Sequence, residues 1–283
     1  MNYRHAFHAG NFADVVKHAV LTRIILALRE KERPFRVLDT HAGAGAYDLA
    51  GPEASRTGEW REGIGRLMTA ALDQPVRDLL APYLDAVAML NGGEGLRLYP
   101  GSPLLVRALL RRDDRLVACE REPGASAALA RALRGDARAK AVEIDGWMAL
   151  NAYLPPRERR GLVLIDPPYE DPDEFARLAD AFAGAHRKWP TGIYLMWYPI
   201  KDRAGPDLLA RRLQRSNIGK ILRAELELSD GNAPARLAGC GLVIVNPPWR
   251  LTSELQAMLP ALASVLGEEG RGRAAVTWLA GER

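Results

Sequence analysis

Long apolar runs are missing from this 283-residue chain. No uninterrupted stretch reaches the roughly 20 residues that a helix needs to cross a bilayer, which argues against a membrane-spanning protein. Cysteine is nearly absent. Cys119 and Cys240 each sit inside an apolar run, so buried free thiols are expected rather than a disulfide framework or a zinc ribbon. MNYRHAFHAGNF carries charges and histidines but no apolar signal core. Together with the two thiols this predicts a cytoplasmic protein. Low-complexity tracts and internal repeats are lacking too, apart from a paired DPPY and NPPW. Nor does charge of one sign dominate. The net charge of +4 permits a nucleic-acid partner without requiring one. What remains is a hydrophobic fraction of 48% and a charged fraction of 26%, enough for one large packed domain, or one domain with an insertion.

Periodicity predicts a first helix from about Phe12 to Glu32, stopped by Pro34. FRVLDTHAGAG then reads as a strand, an acid and a glycine turn. The stretch from about 50 to 95 differs in character: a loop, a helical period over Val76–Leu90, and a GGEG stop. It reads as a small helical insertion. Ser102-Pro103 has the form of a helix N-cap followed by proline. Beyond it, apolar runs alternate with helical segments: RLVACE, AKAVEIDG, GLVLIDPPY, GIYLMWYPI, ILRAELEL and GLVIVN. That alternation predicts a doubly wound, mainly parallel α/β sheet with helices on both faces. The last two of these strands are close enough in sequence to form an antiparallel edge. Two basic clusters, Arg157/Arg159/Arg160 and Arg211/Arg212/Arg215, fit solvated surfaces as well as they fit RNA contacts.

In such sheets ligands bind beyond the carboxyl ends of the strands. The first strand ends in Asp39 and the turn His41-Ala42-Gly43-Ala44-Gly45, where glycine lets backbone approach a ligand. By itself that GxG is weak, and it fits a dinucleotide fingerprint poorly. The second ends in Glu120, a carboxylate able to accept two ribose hydroxyls, or simply a solvated acid. The third ends in Asp145-Gly146, a candidate partner for an adenine amino group. The fourth ends in Asp166-Pro167-Pro168-Tyr169. In this order the four endings have the layout of an S-adenosylmethionine-dependent amino-methyltransferase. An exocyclic amine is a poor nucleophile because its lone pair is delocalised into the ring. Asp166 and the Pro167 carbonyl can each accept one N–H, which turns the lone pair toward a methyl donor and offsets charge growing on nitrogen. Tyr169 offers a face on which a flipped base can stack. NPPW at Asn246–Trp249 has the same form but follows the last strand, so it is expected to be a rigid strand exit with Trp249 packed against a neighbour.

YRHAFHAGNFADVVKH (Tyr3–His18), with DTHAGAG, YPGSP, DPPY, WYPI and NPPW, resembles the RlmJ family of bacterial adenine-N6 methyltransferases of 23S ribosomal RNA. The resemblance runs from the N-terminus to about Arg250. It implies a Rossmann-like class I methyltransferase sheet with a small inserted helical subdomain. It implies that Asp166 is the catalytic acceptor and that S-adenosylmethionine meets His18, His41, Ser102, Glu120, Asp145, Gly146 and Asp166, with Lys17 nearby. It places Tyr3 near the target base, with His5 ordering the same segment. No metal is expected, because the His5, His8 and His18 spacing matches no metal motif; His8 reads as a packing or capping residue. The partner is ribosomal RNA, the expected state is a monomer, and no membrane is involved. Two rivals stand beside this reading. One is a DNA adenine methyltransferase, although the insertion is small and poor in basic residues for a target-recognition domain. The other is an RNA-binding protein without catalysis, which the intact Asp166, Glu120 and glycine turn disfavour. A protein-glutamine methyltransferase would more often carry NPPY in place of DPPY.

Overall fold

A computed structural model of the chain describes residues 4–93, 95–228 and 237–281. A short 3₁₀ turn at His5–Phe7 leads into α1 (Phe12–Arg29). Asn11 caps α1, its side-chain oxygen accepting from the N–H groups of Ala13 and Asp14, both at 3.0 Å. Next come β1 (Arg36–Asp39) and β2 (Ala46–Asp48). A helical stretch follows: α2 (Pro52–Thr57), a π-turn at Arg61–Gly65, α3 (Arg66–Thr69) and α4 (Gln74–Leu90). It returns through β3 (Leu98–Pro100), which pairs with β2 in a small ribbon of its own.

Strands and helices then alternate, as the sequence predicts. The order is α5 (Ser102–Leu109), β4 (Arg115–Glu120), α6 (Pro123–Ala132), β5 (Ala139–Glu143), α7 (Gly146–Ala152) and β6 (Gly161–Ile165). It continues with α8 (Glu174–Lys188), β7 (Ile193–Ile200), α9 (Ala204–Arg215), β8 (Ile221–Glu227), β9 (Gly239–Val245), α10 (Leu251–Leu266) and β10 (Arg273–Ala280). The main sheet has eight strands in the order β10-β8-β9-β7-β6-β1-β4-β5. β5, β4, β1, β6 and β7 are parallel. The chain winds outward from β1 to β4 and β5, then crosses back to β6 on the other side of β1. The crevice for a ligand therefore lies at the carboxyl ends of β1, β4 and β6.

Apolar side chains fill both faces of the sheet. One layer, under α1, α5 and α10, includes Val20, Ile24, Leu105 and Leu259. The other, under α7, α8 and α9, includes Leu150, Leu178, Phe182 and Leu209. Cys119 and Cys240 are buried free thiols, as expected. Among the described residues no helix is long and apolar enough to cross a membrane.

Several expectations need correction. α1 stops at Arg29 rather than near Glu32. The N-cap of α5 is Gly101, and Ser102 is its first helical residue, its hydroxyl donating to Asp39 at 2.7 Å instead of capping the helix. β5 ends at Glu143, and Asp145 belongs to the next element as the N-cap of α7. β8 and β9 are antiparallel partners but lie inside the sheet, because β10 takes the edge beside β8. Trp249 is not packed away: it is 79% exposed.

Candidate functional site

Two cavities meet at the end of β6. The first, of about 460 Å³, lies over the carboxyl ends of β1, β4 and β6. The second, of about 470 Å³, lies between the N-terminal segment, the start of the helical insertion and the end of β7. His5, Lys17, Asp166, Pro167 and Pro168 line both, so this small group forms the wall between them.

The first cavity gathers most of the residues singled out from the sequence. His18, His41, Ser102, Glu120, Asp145, Gly146 and Asp166 all line it. Glu120 is held by two backbone donors, Gly43 N–H at 2.9 Å and Glu122 N–H at 2.7 Å, one to each oxygen. Each oxygen keeps a lone pair for a further donor. Gly43 has φ +62°, and a Cβ there would stand 2.2 Å from the Tyr47 hydroxyl. Asp145 Oδ1 accepts from the N–H groups of Trp147 and Met148, while Oδ2 faces Arg121 at 3.4 Å. At Gly146 a Cβ would meet the Thr40 carbonyl at 2.3 Å and the His41 ring at 2.7 Å, so only glycine fits. His41 is fixed by Thr40 Oγ1 at 2.8 Å and by the edge of Trp147.

Burial pushes the His18 imidazole down to about 3 and that of His41 down to about 4. Both rings are therefore neutral at physiological pH and put no positive charge into the cavity. His18 donates to or accepts from the Tyr99 hydroxyl at 2.7 Å, and Tyr99 in turn meets Tyr83 at 2.9 Å. With neutral histidines, the carboxylates of Glu120, Asp145 and Asp166 give the cavity an acidic lining suited to a cationic ligand. Beneath it Asp39 is fully buried. Burial pushes its carboxyl up to about 7, against the hydrogen bond from Ser102, and its Oδ1 has no hydrogen-bond partner among the described residues. The sequence singled out Asp39 only as a strand end, since nothing local shows that its carboxyl turns under the turn.

The wall between the cavities is an ionic cluster. Lys17 Nζ is 2.5 Å from Asp166 Oδ2 and 2.8 Å from Asp14 Oδ1. His5 Nε2 and the Gly10 N–H both reach Asp14 Oδ2 at 2.9 Å. Burial alone would raise the Asp14 carboxyl and lower the Lys17 amine. The mutual charges outweigh it, holding Asp14 well below the usual carboxylate range and Lys17 well above that of a lysine. Asp14 was missed in the sequence because an i,i+3 Asp–Lys pair on a helix ordinarily marks a solvated face.

The second cavity takes the rest. Tyr169 lines it, in the left-handed region at φ 53°, with its hydroxyl donating to the Trp197 carbonyl at 2.8 Å. Its ring also touches Phe175 at 4.8 Å and Trp197 at 5.7 Å between centroids, so part of its surface is already used. Tyr3 lies outside the described residues. The insertion closes the far side: Glu59 meets His8 at 3.0 Å and Asn11 Nδ2 at 3.0 Å, and Ile64 N–H donates to the Gly10 carbonyl at 2.8 Å. His8 is thus tied to the insertion, and the Glu59 hydrogen bond raises its pKa.

NPPW is elsewhere. Because β9 runs antiparallel to β7, Val245 pairs with Tyr194 near the start of that strand. Asn246 therefore leaves the sheet at the end opposite Asp166. Its side chain donates to the carbonyls of Pro190 and Gly192, both at 2.8 Å. That is a strand-exit clamp, as the sequence order indicated.

Comparison with known proteins places the chain in a family. The family described as ribosomal RNA large subunit methyltransferase D, RlmJ, matches residues 32–280. A ribosomal RNA large subunit methyltransferase J of Escherichia coli (strain K12) is 42% identical over 282 residues, covering 100% of both chains. That of Haemophilus influenzae is 40% identical over 283 residues, again covering 100% of both. The similarity thus continues past Arg250 through β10. A crystal structure of protein LPL1258 from Legionella pneumophila superposes with a TM-score of 0.88 at 35% identity, covering 96% of this chain and 98% of that one. A probable spermidine synthase from Corynebacterium glutamicum, 12% identical with a TM-score of 0.50 over 93% of this chain and 74% of its own, shares the fold alone.

Proposed function

This chain belongs to the RlmJ family of ribosomal RNA large subunit methyltransferases, and from that premise we propose that it methylates N6 of an adenine in 23S ribosomal RNA, using S-adenosylmethionine. The observation that carries the reading is the shared wall: among the described residues a donor cavity and an acceptor cavity share only the DPPY corner, its lysine and His5. S-adenosylmethionine supplies, when bound, a methyl group activated by a positive sulfur. The acidic lining, the neutral His18 and His41 and the paired oxygens of Glu120 fit such a cofactor. Glu120 receives its ribose hydroxyls and Asp145 its adenine amine. Gly146, His41 and His18 shape the floor. The hydroxyl proton of Ser102 is committed to Asp39, so Ser102 serves the cofactor as an acceptor.

The target base enters the second cavity against Tyr169, and the family resemblance assigns Tyr3 to the same base. Asp166 Oδ2 is occupied by Lys17, while Oδ1 has no partner among the described residues. Oδ1 therefore takes one N–H of the target amine and the Pro167 carbonyl takes the other. This fixes the amine across the wall from the first cavity, with its lone pair turned toward that cavity. When nitrogen gains carbon it must lose a proton, and Asp166 is the acceptor in place. Until then Lys17 pairs with the carboxylate at 2.5 Å. The chain acts in this reading as a single cytoplasmic methyltransferase domain over residues 1–283. Residues 50–95 form its inserted helical subdomain, and it is a monomer.

Labelled S-adenosylmethionine offered with protein-free 23S transcript and with duplex DNA, followed by digestion to nucleosides, tests this. N6-methyladenosine in the RNA alone is expected. Label in DNA alone, or on another nucleoside, would overturn it.

A further inference from the structure

The reversed course of β9 carries Trp249 to the amino-terminal end of the parallel strands, away from the cleft. β6 from Gly161 to Asp166 spans roughly 15–20 Å at the usual rise per residue. Trp249 is 79% exposed there, with the Arg250 guanidinium over its ring, 4.8 Å from the centroid. The backbone that presents it is pinned, because Asn246 is clamped by two carbonyls and its own N–H donates to Lys220 O at 3.0 Å. A rigidly held, solvent-facing indole is an unusual use of the largest apolar side chain.

Around it the molecule is basic. A groove of about 610 Å³ joins Trp249 to Lys31 and Arg160. The loops that start β1, β4 and β6 add Arg29, Arg33, Arg112, Arg157 and Arg159, all exposed and in no ion pair among the described residues. Among the described residues only three exposed acids interleave, Glu30, Glu32 and Asp113, and Glu30 already faces Arg250 at 3.9 Å. Local positive charge at this end therefore exceeds what a net +4 over the chain would suggest. A stacking face beside a row of cations is the chemistry that holds unpaired nucleotides: a base on the ring and phosphates on the arginines.

We propose that this end of the sheet is a second RNA-binding surface, taking an unpaired stretch of the same RNA whose adenine enters the cleft. The proposal rests on the RNA substrate of the functional reading. Its base stacks on Trp249 while Lys31, Arg157 and Arg159 meet the backbone. The surface serves affinity for a long transcript and has no part in methyl transfer.

Two variants test it, Trp249→Ala and Arg157→Gln/Arg159→Gln, each first shown to melt like the wild type. Filter binding to full-length 23S transcript should weaken by roughly 5- to 100-fold for the tryptophan variant. The arginine variant should give a salt dependence shallower by about 1.4 in log–log slope, two phosphate contacts on a single strand. On a short stem-loop carrying only the target adenine, both variants should keep wild-type KM and kcat. Unchanged binding of the long transcript would overturn the proposal, and so would an equal loss on both RNAs. If wild type binds the transcript through Trp249 but transfers no methyl group to it, the surface stands and the functional reading fails.

Discussion

Lys17 Nζ sits 2.5 Å from Asp166 Oδ2, a contact across 149 residues of sequence that ties α1 to the DPPY corner. With Asp14 on its other side, one buried cation is shared by two carboxylates. Lys17→Met would leave those carboxylates close together without a counter-charge. A loss of about 3–5 kcal/mol in urea denaturation is expected at neutral pH. Lys17→Arg should recover part of it. A Lys17→Met protein as stable as the wild type would show that the cluster is not holding the N-terminal segment.

Asp39 predicts a pH dependence. Its folded carboxyl is pushed up to about 7 from an ordinary value near 4. Between those values the folded state holds a proton that the unfolded state releases, so stability contributed by the neutral carboxyl falls as pH rises from about 4 to 7. Asp39→Asn keeps an acceptor for Ser102 and removes the ionisation. The stability of the variant relative to wild type should therefore rise by roughly 1–3 kcal/mol across that window. A flat difference would place the carboxyl's titration below it.

Gly146→Ala places a methyl group 2.3 Å from the Thr40 carbonyl and 2.7 Å from the His41 ring. Because the carbonyl belongs to backbone, the Thr40–His41 turn itself must shift, and the floor of the first cavity moves with it. Calorimetric titration with S-adenosylmethionine should show at least a tenfold weaker Kd, and thermal unfolding should show a destabilisation of about 1–3 kcal/mol from the overpacked site.

Asn246→Ala removes two hydrogen bonds and places alanine at φ +54°. A destabilisation of about 1–3 kcal/mol is expected, with methyl transfer intact well below Tm. Asn246→Gly, which accepts that φ, should be milder. Loss of turnover in a well-folded Asn246→Ala protein would assign chemistry to the wrong end of the sheet.

The strand endings were legible in the sequence because each couples an apolar run to an acid or a glycine turn, and parallel topology brings such endings together without further information. Glu120, Asp145 and Asp166 were found that way. His18 and Ser102 came from resemblance alone: a buried histidine inside a helix and a serine at a helix start have ordinary structural readings. Asp14 was invisible because its partners are His5 and a lysine that itself reaches across to β6. β10 was missed as well. An edge strand of small residues, half exposed, lacks the strong alternation of a buried one. Trp249 was misplaced because a tryptophan after two prolines is normally packing, and only the direction of β9 shows which end of the sheet it leaves.

The central claim is that Asp166 carries methyl transfer at the junction of two cavities, and Asp166→Asn tests it most directly. Asparagine preserves size and one acceptor oxygen but cannot take up the proton or balance the charge of Lys17. Single-turnover transfer to 23S transcript should fall by at least 100-fold while affinity for S-adenosylmethionine stays within a few-fold of wild type. Transfer at the wild-type rate, with cofactor binding intact, would contradict the account and move the chemistry away from the DPPY corner.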